Sequence, residues 1–133
     1  MLIHKILNQA NEDKLVSFFR SVFTASEGEK EGNLIGNLVS KLSSVIDNED
    51  VICIGTYQDG ILIGSIFLTR LSFSENIQIY MLAPVAVSTK HQGNGVGKQL
   101  IAFGLNELRR RDVKVVTTYG DPMFYYKVGF QPL

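Results

Sequence analysis

Cysteine and net charge are what this chain has least of. Cys53 is the only cysteine among 133 residues, so no disulfide can form within the chain. That suits a reducing compartment, and the cytoplasm is the expected location. Lysine plus arginine number 13, and aspartate plus glutamate also number 13. With no net charge, no global field draws the protein to nucleic acid or to an anionic membrane. Long hydrophobic runs are missing too. The opening MLIHKILNQANEDK has no apolar stretch of signal-peptide length. Nothing elsewhere approaches the roughly 18 apolar residues of a membrane span. His4 and His91 stand apart from any cluster of Cys, Asp or Glu, so no metal site is expected.

What is present is enough apolar material for a core. Apolar residues make up 45% of the chain, and the length suits one compact domain over residues 1–133. There is no internal repeat, low-complexity tract or linker. Leu2 to Leu7 reads as a first strand. Asn8 or Asn11 can cap a helix that has Glu12 and Asp13 in its first turn. Leu15, Phe18, Phe19, Val22 and Phe23 follow at helical spacing. Thr24 to Gly32 is polar and acidic and reads as a mobile loop. A second helix is predicted from the stripe Leu34, Ile35, Leu38, Val39, Leu42, Val45 and Ile46.

Three strand-like runs come next. Val51 to Gln58 leads into Asp59-Gly60, a strong hairpin signal, and Ile61 to Phe73 returns. Ser74-Glu75-Asn76 makes another turn before Ile77 to Val87. Pro84 lies inside that last run. It has no N–H for a ladder, so the strand must bulge or splay there. Gly95 to Arg111 reads as a helix and Val113 to Tyr119 as a strand. Asp121-Pro122 starts a short helix to about Val128. Three runs joined by tight turns pair antiparallel, and a helical crossover then adds a parallel strand. The expected fold is mixed α/β (α+β), in the order β-α-α-β-β-β-α-β-α, with helices on both faces of a mixed sheet.

Residues 92–97, Gln-Gly-Asn-Gly-Val-Gly, fall between a strand and a helix. Glycines there let successive amides turn into one concavity, and the helix N-terminus adds partial positive charge. Lys90, His91 and Lys98 flank the loop. The spacing is not that of a P-loop, because Gln92 stands where its first glycine belongs and Gln99 follows Lys98. It is not a dinucleotide fingerprint either, because Lys98 holds the third glycine position and hairpins lie upstream. A phosphate site and a plain glycine-rich helix cap both remain open on these residues alone.

Two motifs in register narrow the choice. Gln92-x-x-Gly95-x-Gly97 resembles the Q/R-x-x-G-x-G/A signature of the GNAT acetyltransferase superfamily. Leu82-Ala83-Pro84-Val85-Ala86-Val87 resembles that family's fourth strand, which splays from the fifth to admit the pantetheine arm. Gly120-Asp121-Pro122-Met123-Phe124-Tyr125-Tyr126-Lys127-Val128-Gly129-Phe130 is similar to the GDPxYYxxxGF segment of one bacterial branch of predicted N-acetyltransferases. The resemblance covers residues 1–130. It implies an acetyl-CoA-dependent N-acetyltransferase that uses no metal, with an alternative as a CoA-binding module without transferase activity.

It also implies roles for particular residues. The backbone at Val85, Ala86 and Val87 would hold the pantetheine. The amides of Gln92, Gly93, Asn94, Gly95, Val96, Gly97 and Lys98 would hold the pyrophosphate. Tyr125 would protonate the departing CoA thiolate. The acceptor is a small-molecule or peptide amine. No general base is assigned: the strand before Pro84 carries no carboxylate, and Glu27, Glu29, Glu31 and Glu75 lie elsewhere. Asp121 is read as a helix cap, Arg109–Arg111 as a helix end and Cys53 as a small core residue. Family members continue past the Gly-Phe dipeptide with two more strands, whereas here only Gln131, Pro132 and Leu133 follow. The resemblance therefore leaves an open sheet edge, which a homodimer would cover.

Overall fold

The computed structural model describes residues 1–71 and 78–118. Strand β1 spans Leu2–Leu7, and a 3-10 turn over Gln9–Asn11 leads into helix α1, Glu12–Glu27. Helix α2 is Glu29–Ser43, followed by strands β2 (Val51–Gln58), β3 (Ile61–Leu71) and β4 (Ile79–Val87). Helix α3 covers Val96–Arg110, and β5 is the short strand Val115–Thr117. The sheet order is β1-β2-β3-β4-β5, antiparallel through β4, with β5 added parallel. The antiparallel meander and the parallel crossover are those the sequence predicts. The expected turn at 74–76, the helix from Asp121 and Tyr125 lie outside the described residues.

Alternation along the strands divides the core in two. Cys53 and Phe67 face α1 and α2, where they pack with Leu15, Phe19, Val22 and Val39. Ile52, Ile54, Ile66 and Leu68 face α3, against Leu100, Ile101 and Leu108. Phe19 is fully buried, with its ring 5.7 Å from that of Phe67. Burying one such side chain contributes about 1.5–3 kcal/mol. Glycines set how closely α3 can lie on the sheet. A Cβ on Gly104 would come 2.6 Å from Ile66 Cδ1, and one on Gly64 would come 3.2 Å from Leu100 Cδ2.

In the first half one expectation fails and another holds in part. Residues 24–32 do not form a loop: α1 runs to Glu27, Gly28 alone breaks the helix at φ 98°, and α2 starts at Glu29. The predicted apolar stripe is buried in part: Val39 and Ile46 lie in the core and Ile35 and Leu42 pack against it. Leu34, Leu38 and Val45 are exposed, while Gly32, Gly36, Val39 and Ser43 are buried. The cause is close helix–helix approach. Small residues at this spacing bring α2 so near α1 that a Cβ on Gly32 would collide with Thr24 and lie 3.0 Å from the Arg20 carbonyl oxygen. Polar, acidic residues then sit on the outer surface of a packed helix pair, where hydropathy alone reads a loop.

The far end of the sheet is tied by the segment between α2 and β2. Asp47 Oδ1 accepts the amides of Glu49, Asp50 and Val51 at 3.0, 2.8 and 3.0 Å. These bonds, Val51 first and Glu49 next, hold its carboxyl below the usual range. Tyr80 Oη donates to the Glu49 carbonyl at 2.6 Å, and Arg111 donates to the Asn48 carbonyl at 2.6 Å.

The helix contact yields a direct test. Gly→Ala inside a solvated helix stabilises by about 1 kcal/mol. Gly32→Ala should instead destabilise by about 1–3 kcal/mol, because backbone atoms of α1 cannot yield. Urea unfolding of Gly32→Ala measures the sign, and a stabilised variant would show that the helices do not pack this closely.

Candidate functional site

The site starts with a fault in β4. Before Pro84, Leu82 pairs with Leu68; after it, Val85 pairs with Ile66. Ala83 and Pro84 thus stand opposite the single residue Phe67, which is a β-bulge on β4. The Ala83–Pro84 peptide is cis. The bulge reverses the alternation of the strand. Tyr80 and Leu82 face α3 on even numbers, whereas Val85 faces α3 and Ala86 faces α1 beyond it.

Among the described residues, β5 joins β4 ahead of this fault. The two pair only at Ile79↔Val115, Tyr80↔Val116 and Met81↔Thr117. Thr118 Oγ1 then donates to the Leu82 carbonyl at 2.8 Å. Beyond that bond, residues 83–87 have no β5 partner among the described residues. Their backbone direction follows from the ladder with β3. Ser88 N–H donates to the Ile63 carbonyl at 2.8 Å, so Ser88 and Ala86 aim their backbone groups at β3. Val85 and Val87 aim theirs the other way, into the opening. Of the three residues the sequence singles out, two present their backbone to this opening, and Ala86 contributes a small buried side chain on the α1 face.

The glycine-rich loop lies just past the end of β4. Thr89–His91 forms a 3-10 turn, and α3 begins at Val96 with Gly95 as its N-cap. Gly93 and Gly95 both hold left-handed backbone, at φ 84° and 81°. A Cβ on either would meet no atom within 4 Å, so the glycines are required by the backbone and the space above them is open. No side chain caps the helix. Its first intrahelical bond of this turn is Gln99 N–H to the Gly95 carbonyl, at 3.0 Å. The amides of Val96, Gly97 and Lys98 come before it and have no acceptor in their own helix. Asn94 differs, since its amide turns inward to the His91 carbonyl at 3.4 Å. Gln92 uses its side chain, with Nε2 donating to the Val87 carbonyl at 2.9 Å and tying the loop to the end of β4. Lys90 and Lys98 are exposed and make no ion pair among the described residues. A helix N-terminus whose amides have no partner among the described residues, with open glycines and two lysines, can hold a multiply charged anion.

Two further groups brace this loop. His91 Nε2 lies 3.1 Å from Gln58 Oε1, at the end of β2. Val96 and Leu100 seat the first turn of α3 over Gly64 of β3. Sequence reading passes over Gln58 because 33 residues separate it from its partner. Other polar residues prove structural. Cys53 is fully buried and burial pushes its thiol up to about 12, so it is no nucleophile. His4 Nδ1 bonds Thr56 Oγ1 at 2.8 Å. Arg110 pairs with Glu107 at 2.7 Å, within the α3 C-terminus. Among the described residues no group of three metal-binding side chains converges, and no helix is long and apolar enough to cross a membrane. Tyr125 lies outside the described residues.

Comparison with known proteins meets this geometry. A family model described as an acetyltransferase (GNAT) domain matches residues 48–132. That stretch contains β2 to β5, the bulge and the loop. An Escherichia coli K12 protein named as the uncharacterized N-acetyltransferase YjhQ is 29% identical over 139 aligned positions, covering 99% of this chain and 73% of YjhQ. The uncharacterized N-acetyltransferase YhbS of the same strain is 33% identical over 79 positions, covering 59% of this chain and 47% of YhbS. The chain therefore aligns with about half the length of YhbS. The crystal structure of a predicted acetyltransferase from Clostridium acetobutylicum with acetyl-CoA superposes with a TM-score of 0.80 at 15% identity, over 100% of this chain and 92% of the other. At that identity the likeness is one of fold.

Gly95 carries the local test. Left-handed backbone costs a residue with a Cβ about 1–2 kcal/mol. Gly95→Ala should lose about that much stability in urea, although nothing crowds the site. Gly95→Asn should lose less, because asparagine tolerates this conformation. Equal losses for the two would point to crowding rather than to backbone conformation.

Proposed function

Since the chain belongs to the GNAT acetyltransferase domain family, we propose that it transfers an acetyl group from acetyl-CoA to an amine by direct attack. One observation carries the reading: the bulge at Ala83–Pro84 leaves the backbone of Val85 and Val87 facing an opening that leads to the free amides at the start of α3. A thioester arm lying in that opening would be held as an added strand, by main-chain bonds. Its pyrophosphate would meet the amides of Val96, Gly97 and Lys98 around Gly93 and Gly95. Gln92 keeps the loop at the right distance from Val87.

Placed so, the acetyl carbonyl lies beside β4. The acceptor nitrogen attacks the carbonyl carbon, and a tetrahedral adduct forms. The carbon–sulfur bond then breaks, and the thiolate takes a proton, for which Tyr125 is the donor in this reading. The products are an N-acetyl amide and free CoA thiol. The nitrogen's own proton passes to a base that the described residues do not supply from β4, whose side chains include no carboxylate. A positioned general acid contributes about 10²–10⁴-fold. The reading also places the protein in the cytoplasm. It retains a homodimer along β5, which pairs with β4 alone among the described residues. A mass that stays monomeric at every concentration would count against the dimer.

Two measurements test the function. Acetyl-CoA at 100 times its dissociation constant should stabilise the protein by about 2.7 kcal/mol in a thermal shift. Free thiol release should then appear with some member of a panel of amines. Binding without release on any amine would favour a CoA-binding module that lacks transferase activity. Tyr125→Phe should lower turnover by about 10²-fold or more while leaving CoA affinity nearly unchanged. Unchanged turnover would remove this tyrosine from the mechanism.

A further inference from the structure

The loop that precedes α3 is fastened at its near end by His91, and the fastening reaches across the sheet. His91 N–H donates to the Ser88 carbonyl at 2.8 Å, and the His91 carbonyl accepts from Asn94 N–H. The residue thus closes both the 3-10 turn and the first turn of the glycine loop. Its ring is half-buried and turned toward β2, where Nε2 meets Gln58 Oε1 at 3.1 Å. An amide oxygen only accepts, so Nε2 is the donor in this bond. Nδ1 is buried with no hydrogen-bond partner among the described residues. One nitrogen is committed to Gln58 and the other is closed off from solvent, so this histidine is badly placed to carry protons for a substrate.

Gln58 is held with little freedom of its own. It is the last residue of β2, and it pairs with Ile61 across the turn Asp59-Gly60. Both turn residues are left-handed, at φ 53° and 79°, the pattern of a two-residue hairpin turn that matches strand twist. The β2–β3 hairpin tip is therefore a rigid post beside a loop with two left-handed glycines and no side-chain cap. On the other side Gln92 holds the loop to Val87.

We propose that His91 is a positioning residue for anion capture, acting through its hydrogen bond to Gln58 to hold the glycine loop in its open, ligand-ready form. This rests on the acetyl-CoA reading above. The bond sets where the Gly93–Lys98 amides stand relative to Val87, and so matches the phosphate-binding end of the site to the thioester-binding end. It concerns only ligands that carry the pyrophosphate. The reacting atoms beside β4 do not depend on it.

The test compares two donors that share a thioester: acetyl-CoA, and the acetyl thioester of pantetheine, which lacks the pyrophosphate. His91→Ala and Gln58→Ala should each weaken CoA binding about tenfold in calorimetry, the scale of one hydrogen bond. The double variant should lose no more than either single one, because both remove the same bond. The turnover number at saturating acetyl-CoA should stay within about twofold, and KM for acetyl-pantetheine should not move. His91→Gln, which can place an amide donor near the Nε2 position, should recover most of the affinity and controls for a folding defect. Additive losses, equal losses for both donors, or single variants that bind CoA as the wild type does would each overturn the inference. Wild type that binds no CoA would overturn the acetyl-CoA reading itself, and this inference with it.

Discussion

A proline inside a strand with neighbours on both sides is the constraint from which the rest of this structure follows. Pro84 has no N–H to give a ladder, so β4 cannot stay in register through it. The strand takes up one extra residue opposite Phe67. That single step has two results. It turns the backbone of Val85 and Val87 away from β3, and it lies just past the last described pair with β5, Met81↔Thr117. A straight β4 with full ladders on both sides would have no free backbone to offer a ligand. Val85 and Val87 leave the β3 ladder because the strand is spoiled in one place and intact on either side of it.

Everything else keeps that opening in line with the loop beyond it. The two cores are sealed by close-packed apolar side chains on opposite sheet faces, so the sheet is a stiff plate. Gly64 and Gly104 let α3 settle onto that plate, which fixes the helix N-terminus close to the end of β4. Gln92 and His91 then tie the loop to Val87 and to Gln58. The site is built mostly from main chain. Its side chains act as struts, and its conspicuous polar residues elsewhere, Cys53, His4 and Arg110, serve packing or helix ends.

Much of this was legible before the structure. The strand order could be read because turn signals are local: Asp59-Gly60 forces a hairpin through backbone conformation that neighbours hardly influence. Pro84 announced its bulge for the same reason, since a missing donor is missing in any fold. The loop at 92–97 was legible as a turn into a helix from its glycines, and Gly93 and Gly95 are left-handed there. The segment 24–32 was misread. Its polarity is that of a loop, but its helicity comes from Gly32 and Gly36 fitting against α1, a contact between segments that hydropathy does not register. The exposed Leu34 and Leu38 are the same error seen from the other face.

What the sequence determined alone are the features that depend on one residue's own chemistry: the turn, the bulge, the glycine loop and the two-faced alternation of the strands. What only the tertiary structure decided are the distances between such features. It showed which backbone groups of β4 look into the opening, and it brought Gln58 to His91 across 33 residues. The physical reason is that backbone conformation is set by local sterics and is written residue by residue. Contact between distant segments is set by how closely whole surfaces pack, and small residues such as Gly32 and Gly64 decide that closeness while leaving almost no mark in composition.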